Sequence, residues 1–429
     1  TGCGDIGCTE QIDLLFVIDN SGTMAEEQLN LARNFPLLIE KLENLQDSAG
    51  NPVAADVNVM VTTSDFGNPS CDLYKEAEPE KGKPVYTPCT DRLDRFTWNT
   101  MPPTVAEEAC TQVCTTGARP SDQFINFTPT ANNVMGGTPA DALSCLGPQG
   151  IDGCGYEAPL ENMLQGLFTG ACWNDPDTDA CRNDAEWGNF PKPFLRPDAT
   201  LGIVIVTDEA DCSVKDFSIM TNPDYQEVDP ADSTKKQSSA ICWNAGVTCD
   251  GPDGSGVFTN CRSTDDGSMQ PTSRYTNYLI SEIRERQNKN VIMLGILGVP
   301  LVTEHNPEPP FEPIAGGVRD LVYREWRDGT YPAGDILPAD AAAGKTAAKQ
   351  EWAFGIGPGC TGDDGMGGFT GQAVPPVRVK EVCEALDYDD PVTGDKNIRC
   401  CIESICDTDF SAAINCLTGI LSESIPPPG

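Results

Sequence analysis

A single histidine, His305, stands in 429 residues, and it lies in the proline-rich stretch Glu304-His305-Asn306-Pro307 with no nucleophile motif nearby. A Ser-His-Asp or Cys-His arrangement would have to use that residue, so hydrolase chemistry of this kind is not expected. The chain also lacks a phosphate loop, and nothing singles out a glycosidase pair among its 65 acids. Positive charge is scarce: 28 Lys and Arg stand against 65 Asp and Glu, a formal net charge of -37. Such a surface repels phosphate backbones and anionic lipid, which argues against nucleic acid and direct electrostatic membrane binding. Long apolar runs are missing too. The longest, Val291 to Val302, falls short of the roughly 18 residues a transmembrane helix needs and reads as a buried strand. No repeat of the length used by solenoids or propellers is seen. These absences together favour a non-enzymatic protein.

What the chain has in excess is cysteine. Twenty residues, an even number, point to disulfides and an oxidising compartment. They fall into a pair, Cys3 and Cys8, and three groups of six. The first group is Cys71, Cys89, Cys110, Cys114, Cys145 and Cys154. The second is Cys172, Cys181, Cys212, Cys242, Cys249 and Cys261. The third is Cys360, Cys383, Cys400, Cys401, Cys406 and Cys416. Each group can close its own bridges, and the adjacent Cys400 and Cys401 are expected to take different partners, because a bridge between neighbours strains the backbone. Zinc is disfavoured by the lack of Cys-x-x-Cys spacing and by the lone histidine. Export is therefore expected, from a precursor trimmed before Thr1 and with a lipid anchor upstream of it as one route to the surface.

The most informative segment is Ile12-Asp-Leu-Leu-Phe-Val-Ile-Asp19-Asn-Ser21-Gly-Thr23-Met24. An apolar, β-prone run ends in an Asp and two hydroxyl residues at alternate positions, just before a helical segment. Asp19, Ser21 and Thr23 would sit outside the carboxyl end of a strand, where open α/β sheets place ligands, and they offer only oxygen. Mg²⁺ or Mn²⁺ suits that donor set. Two of the groups are neutral hydroxyls, so a bound cation would keep net positive charge and exchangeable positions for an outside carboxylate. A second apolar run, Leu201 to Val206, delivers Asp208 in the same way and is followed by Asp211.

These residues resemble the metal-ion-dependent adhesion site, Asp-x-Ser-x-Ser, of von Willebrand factor A domains, with Thr23 in place of the last Ser and Asp208 as the distal Asp. The resemblance implies a doubly wound, largely parallel α/β sheet of Rossmann-like type. It also implies a third ligand from a loop that opens a helix. Gly136-Gly137-Thr138-Pro139 matches the usual pattern, and Thr138 is favoured for its hydroxyl. Gly150-Ile-Asp152-Gly-Cys154-Gly-Tyr-Glu157-Ala-Pro159 resembles the loop of cysteine-rich bacterial surface members, which keeps Asp152 and Glu157 as rivals, with Asp211 a further alternative. The Asp-Asn-Ser-Gly-Thr-Met, Val-Thr-Asp-Glu-Ala-Asp-Cys-Ser and Gly-Cys-Gly-Tyr-Glu segments together look like cysteine-rich surface lipoproteins of myxobacteria, a group that includes a gliding-motility adhesin. The function so implied is adhesion at the cell surface or outer membrane, with the metal taking a carboxylate of a protein or surface polymer, or docking to an outer-membrane complex in gliding. The alternative is a scaffold subunit of a surface assembly or filament whose metal is structural.

Along its length the chain reads as residues 1–11, one domain over 12–422, and a Pro-rich tail at 423–429. Strands are expected at about 12–19, 56–65, 201–208 and 291–299, with helices at about 25–45, after Glu157, at 273–287, and in 377–386 and 409–421. Insertions are expected at about 66–152, 172–197, 212–272 and 300–371. Asp175-Pro-Asp177-Thr-Asp179 is a candidate for Ca²⁺, with alternate carboxylates, but it lacks the Gly and closing Glu of a calcium loop. The stretches at Asp250 and Asp253 and at Asp363 and Asp364 are weaker matches, and all three read as solvated acidic loops.

Overall fold

A computed structural model describes residues 9–71, 78–98, 103–363, 366, 368–391 and 394–427. Cys3, Cys8 and Asp364 lie outside the described residues. The protein is a mixed α/β structure around a seven-stranded, mostly parallel sheet. In chain order its elements are β1 (Thr9–Ile18), α1 (Ala25–Glu43), β2 (Ala54–Thr63), β3 (Ile125–Thr128), β4 (Ala131–Asn132), α2 (Pro139–Leu146) and α3 (Pro159–Gly166). They continue with β5 (Thr200–Val206), α4 (Thr272–Asn277, running on as π-helical turns over Tyr278–Arg286), β6 (Val291–Leu297), α5 (Val377–Glu384), β7 (Cys400–Ser404) and α6 (Ser411–Ser424).

The strand order is β7-β6-β5-β1-β2-β3-β4. β1 runs parallel to β2 and to β5, with Ile18 level with Thr63 on one side and Val206 on the other. β6 is parallel to β5 and β7, while β3 is antiparallel to β2. The central strands are near-continuous apolar runs because both of their faces are covered. Ile12, Leu14, Phe16 and Ile18 pack against Leu31, Phe35 and Leu38 of α1, Leu143 of α2 and Leu417 of α6. Leu15 and Val17 point the other way, to Leu160 and Met163 of α3, Tyr275 and Leu279 of α4, and Val379 of α5. The period-2 alternation of side chains along β1 thus feeds two separate cores.

Three strands of this sheet escape sequence reading. β3, which follows a cysteine-rich stretch, belongs to the region read as the insertion 66–152, as do β4 and α2. β7 lies between two helix-like segments. β4 and β7 are the edges of the sheet and β3 lies next to the edge, and at four, two and five residues β3, β4 and β7 have too few apolar positions to form a run. Elsewhere the inserted segments form small antiparallel sheets, including a three-stranded one made by Val247–Asp250, Val257–Ser263 and Tyr323–Arg324.

Nine disulfides cross-link the described chain: Cys71–Cys154, Cys89–Cys110, Cys114–Cys145, Cys172–Cys181, Cys212–Cys242, Cys249–Cys261, Cys360–Cys406, Cys383–Cys400 and Cys401–Cys416. Every one joins cysteines of a single group of six, and no free cysteine is found among the described residues. Each closed loop stabilises the fold by about 2–4 kcal/mol through the chain entropy it removes from the unfolded state. That density of bridges fits an exported protein. No helix among the described residues is long and apolar enough to cross a membrane.

Candidate metal centre

β1 and β5 are adjacent and parallel, and from them the chain moves outward in opposite directions, β1 to β2 and β5 to β6. A crevice forms outside the carboxyl ends of such a strand pair, and ligands of open α/β sheets bind there. Asp19 leaves β1 with its N–H bonded to the carbonyl of Val206 at the end of β5 (2.9 Å). Its Oδ1 accepts the N–H of Ser21 (2.8 Å) and its Oδ2 accepts the hydroxyl of Thr207 (2.5 Å). Ser21 Oγ lies 3.5 Å from Thr23 Oγ1, which donates to Asp208 Oδ2 at 2.6 Å. Asp19, Ser21, Thr23 and Asp208 are therefore one hydrogen-bonded set, drawn from two loops far apart in sequence.

The loop is held from below by Gln28 in the first turns of α1. Its Nε2 donates to the carbonyls of Asp19 and Gly150, both at 2.8 Å, and its Oε1 accepts the N–H of Gln149 (2.8 Å). Asn20 accepts the N–H of Gly153 through its carbonyl (2.9 Å). The glycine-rich segment before α3 is thereby laid against the Asp19 loop, and the Cys71–Cys154 bridge ties it to the chain leaving β2. Above them sits Trp98, 42% exposed, with its ring so close to Gly22 that a Cβ there would be 2.9 Å from Cε3. Glycine is required at that position by contact rather than by backbone angle.

Of the two rival helix-opening loops, the second reaches the site. Glu157 is fully buried, accepts the hydroxyl of Ser64 (2.5 Å), and lies near enough to Asp19 for the two carboxyls to act on each other. Thr138, the favoured residue, is placed elsewhere. It is exposed and closes a capping box, donating to Asp141 Oδ2 (2.7 Å) and accepting the Asp141 N–H (3.1 Å). The chain leaving the carboxyl end of α2 is what meets Gln28, so Thr138 caps the far end, about 12 Å away along an eight-residue helix. Asp152 stands at the rim, half-buried, its carboxyl pushed up to about 6 chiefly by desolvation.

Asp211 is fully committed to structure. Its Oδ2 pairs with Arg378 Nε (2.9 Å), and its Oδ1 accepts the hydroxyl of Ser213 (2.7 Å) and the N–H of Leu160 (3.2 Å) in the first turn of α3. The acidic loops do not converge as calcium loops do. Asp177 and Asp179 lean on Arg182, and Asp253 closes a turn with Ser255 and Val257.

The electrostatics separate this cluster from the other buried acids. Asp13 pairs with Arg196, Glu161 with Arg274, Asp335 with Arg324 and Asp211 with Arg378. None of the groups acting most strongly on Asp19, Asp208, Glu157, Glu209 or Glu27 is a Lys or Arg. Burial, and then the charge of Asp19, push the Asp208 carboxyl up to about 7. Burial also raises Asp19 itself, against the hydrogen bonds from Thr207 and Ser21. Glu157 is driven well above the carboxylate range by burial and by Asp19 and Asp65, and Glu27 by burial and Asp208. Asp208 Oδ1, Glu157 Oε1 and Glu27 Oε2 are buried without a hydrogen-bond partner among the described residues.

Unpaired buried carboxylate oxygens cost several kcal/mol per ion, and a cation relieves that cost. The donor set, carboxylates and hydroxyls only, suits a hard divalent ion. Among the described residues no three Asp, Glu, His or Cys side chains gather tightly as a metal-ligand group, so a cation here would rely on the hydroxyls of Ser21 and Thr23 as well as the acids. Thr207, Ser64 and Gln28 complete the arrangement and went unread in the sequence, although Thr207 and Ser64 both stand at strand ends, where such residues can be sought. Neither a scan against protein-family models nor a search of the curated proteins finds a match for the chain.

Proposed function

We propose that this is an exported cell-surface binding protein built on a von Willebrand factor A-like, doubly wound domain. Mg²⁺ or Mn²⁺ would be held by Asp19, Ser21, Thr23 and Asp208, with Glu157 in the role first considered for Thr138. Bound there, the ion supplies an electrophilic centre for a carboxylate of a partner protein or surface polymer. The residues around it would orient the ion and leave it a position for the partner's carboxylate, and no catalytic step is part of this reading. Adhesion to a substratum, or docking to an outer-membrane complex in gliding, is the role proposed for it.

One observation carries the reading. Two aspartates delivered by neighbouring parallel strands are linked through Ser21 and Thr23, with Thr207 bonded to Asp19 beside them, in a buried acidic cluster on which no arginine among the described residues acts strongly. The outward progression of strands on either side of β1 supports the doubly wound form. A protein of net charge -37 is repelled by a carboxylated surface, and a bound cation would offset that repulsion locally.

The test uses beads coated with the protein on carboxylate-terminated and hydroxyl-terminated surfaces, in Mg²⁺ and in chelator. Retention should be confined to the carboxylate surface in Mg²⁺ and should be lost in the Asp19→Ala variant. Retention that survives verified removal of the metal would instead favour the scaffold function, with contacts made by the inserted segments.

A further inference from the structure

Beside the metal centre lies a cavity of about 630 Å³, within the size range of ligand pockets. Thr23 forms part of its wall, and so does Val374, whose N–H is bonded to the carbonyl of Asp208 (2.7 Å). The metal loop and the cavity therefore share a wall. The rest of the lining is dominated by Trp326, Trp352 and Phe354, and its charged residues balance, Asp229 and Asp340 against Lys345 and Lys349.

We propose that this cavity is the apolar half of the ligand site. The partner is a polypeptide that presents a carboxylate to the metal centre and an adjacent aromatic or branched apolar side chain to the cavity. The proposal rests on the metal-site reading and names the ligand class that the site would take.

Two observations select a peptide of this kind over a sugar polymer. The cavity adjoins the place where a carboxylate would bind, so acid and apolar group must be neighbours. Its polar groups are largely engaged: Gln372 Nε2 is bonded to the Asp335 carbonyl and to Thr361, and Lys349 to the Gly344 carbonyl. A sugar ring would leave its hydroxyls unpaired there, whereas an apolar side chain would not.

The probes are N-acetyl-Asp-Phe-amide and N-acetyl-Asp-Gly-amide, titrated calorimetrically into the full chain with Mn²⁺ and again in chelator. The Phe peptide should bind at least tenfold tighter than the Gly peptide, since burying an aromatic side chain carries that difference. Filling the cavity with Ala353→Trp, or with Leu337→Trp should the first not fold, should bring the Phe peptide down to the affinity of the Gly peptide. Mn²⁺ binding is measured on each variant. Equal affinities of the two peptides for the unaltered protein would overturn the proposal, and so would a preference that both filled variants retain. If Mn²⁺ fails to bind, the metal reading falls by itself. The cavity is then judged by the same comparison in chelator, where a lasting preference supports it and none overturns it.

Discussion

Raising the pH of the metal-free protein from 5 to 8 should weaken its fold, and adding a divalent cation should reverse the loss. In the unfolded chain, carboxyls titrate near 4. In the folded protein Asp208 keeps its proton up to about 7, because it is buried beside Asp19, and Glu157 and Glu27 are raised for the same kind of reason. Between those limits the folded state binds more protons than the unfolded one, so the unfolding free energy falls as pH rises. Each retained proton contributes a slope of about 1.4 kcal/mol per pH unit. For Asp208, raised from 3.8 to about 7, the loss between pH 5 and 8 is on the order of 3 kcal/mol. Exposed acids with lowered values, such as Asp232 and Asp253, lose their contribution only below pH 4 and leave this window untouched. A cation bound to the deprotonated cluster restores about 2.7 kcal/mol at a hundredfold excess over its dissociation constant, and it does so more strongly at pH 8 than at pH 5, where protons compete. Urea unfolding under non-reducing conditions, followed by tryptophan fluorescence with chelator or with Mn²⁺ at several pH values, measures both effects. A midpoint in chelator that stays flat or rises from pH 5 to 8 would refute the reasoning, as would a Mn²⁺ shift of the same size at both ends.

Other substitutions separate site from scaffold. Glu157→Gln should weaken Mn²⁺ binding by about tenfold or more, while Thr138→Ala should cost about 1 kcal/mol of stability as a lost cap and leave the ion alone; calorimetric titration and denaturant unfolding distinguish them, and the reverse pattern would reinstate Thr138. Arg378→Ala leaves Asp211 buried and unpaired, a loss of about 3–5 kcal/mol in unfolding measurements with Mn²⁺ affinity retained. Peptide mapping without reduction should recover nine linked pairs within the three cysteine groups, and stoichiometric free thiol at any of those eighteen residues would contradict the pairing described here.

The parts of the fold legible in the sequence are those in which burial on both faces writes a continuous apolar run. β1, β2, β5 and β6 are such strands, and their observed limits lie within about two or three residues of those expected from pattern alone. β3 and β7 carry no such run, because a strand of four or five residues with polar positions, at or next to the edge of the sheet, looks like loop. The π-helical turns of Tyr278–Arg286 leave the apolar spacing close to that of an ordinary helix, so composition does not reveal them. At the site, Asp19, Ser21, Thr23 and Asp208 stand out because each follows directly from a strand end. Local sequence ranks Thr138 above Glu157 by its hydroxyl alone, since each precedes a proline-initiated helix, Pro139 in one case and Pro159 in the other, and it is Glu157 that lies beside Asp19. Which loop reaches Asp19 is decided by Gln28 and the Cys71–Cys154 bridge, both long-range. Asp211 looks like a ligand for the converse reason: its neutralising partner, Arg378, lies 167 residues away.

The central claim is that a single divalent ion sits among Asp19, Ser21, Thr23, Asp208 and Glu157. Crystals grown with Mn²⁺, measured near the manganese absorption edge, locate that ion without reference to any partner. The account predicts one strong anomalous peak about 2.1–2.3 Å from oxygens of these residues, with at least one position left to water or to a carboxylate, and no such peak in Asp19→Ala crystals. Manganese at another acidic loop alone, or an intact peak in the Asp19→Ala protein, would contradict it.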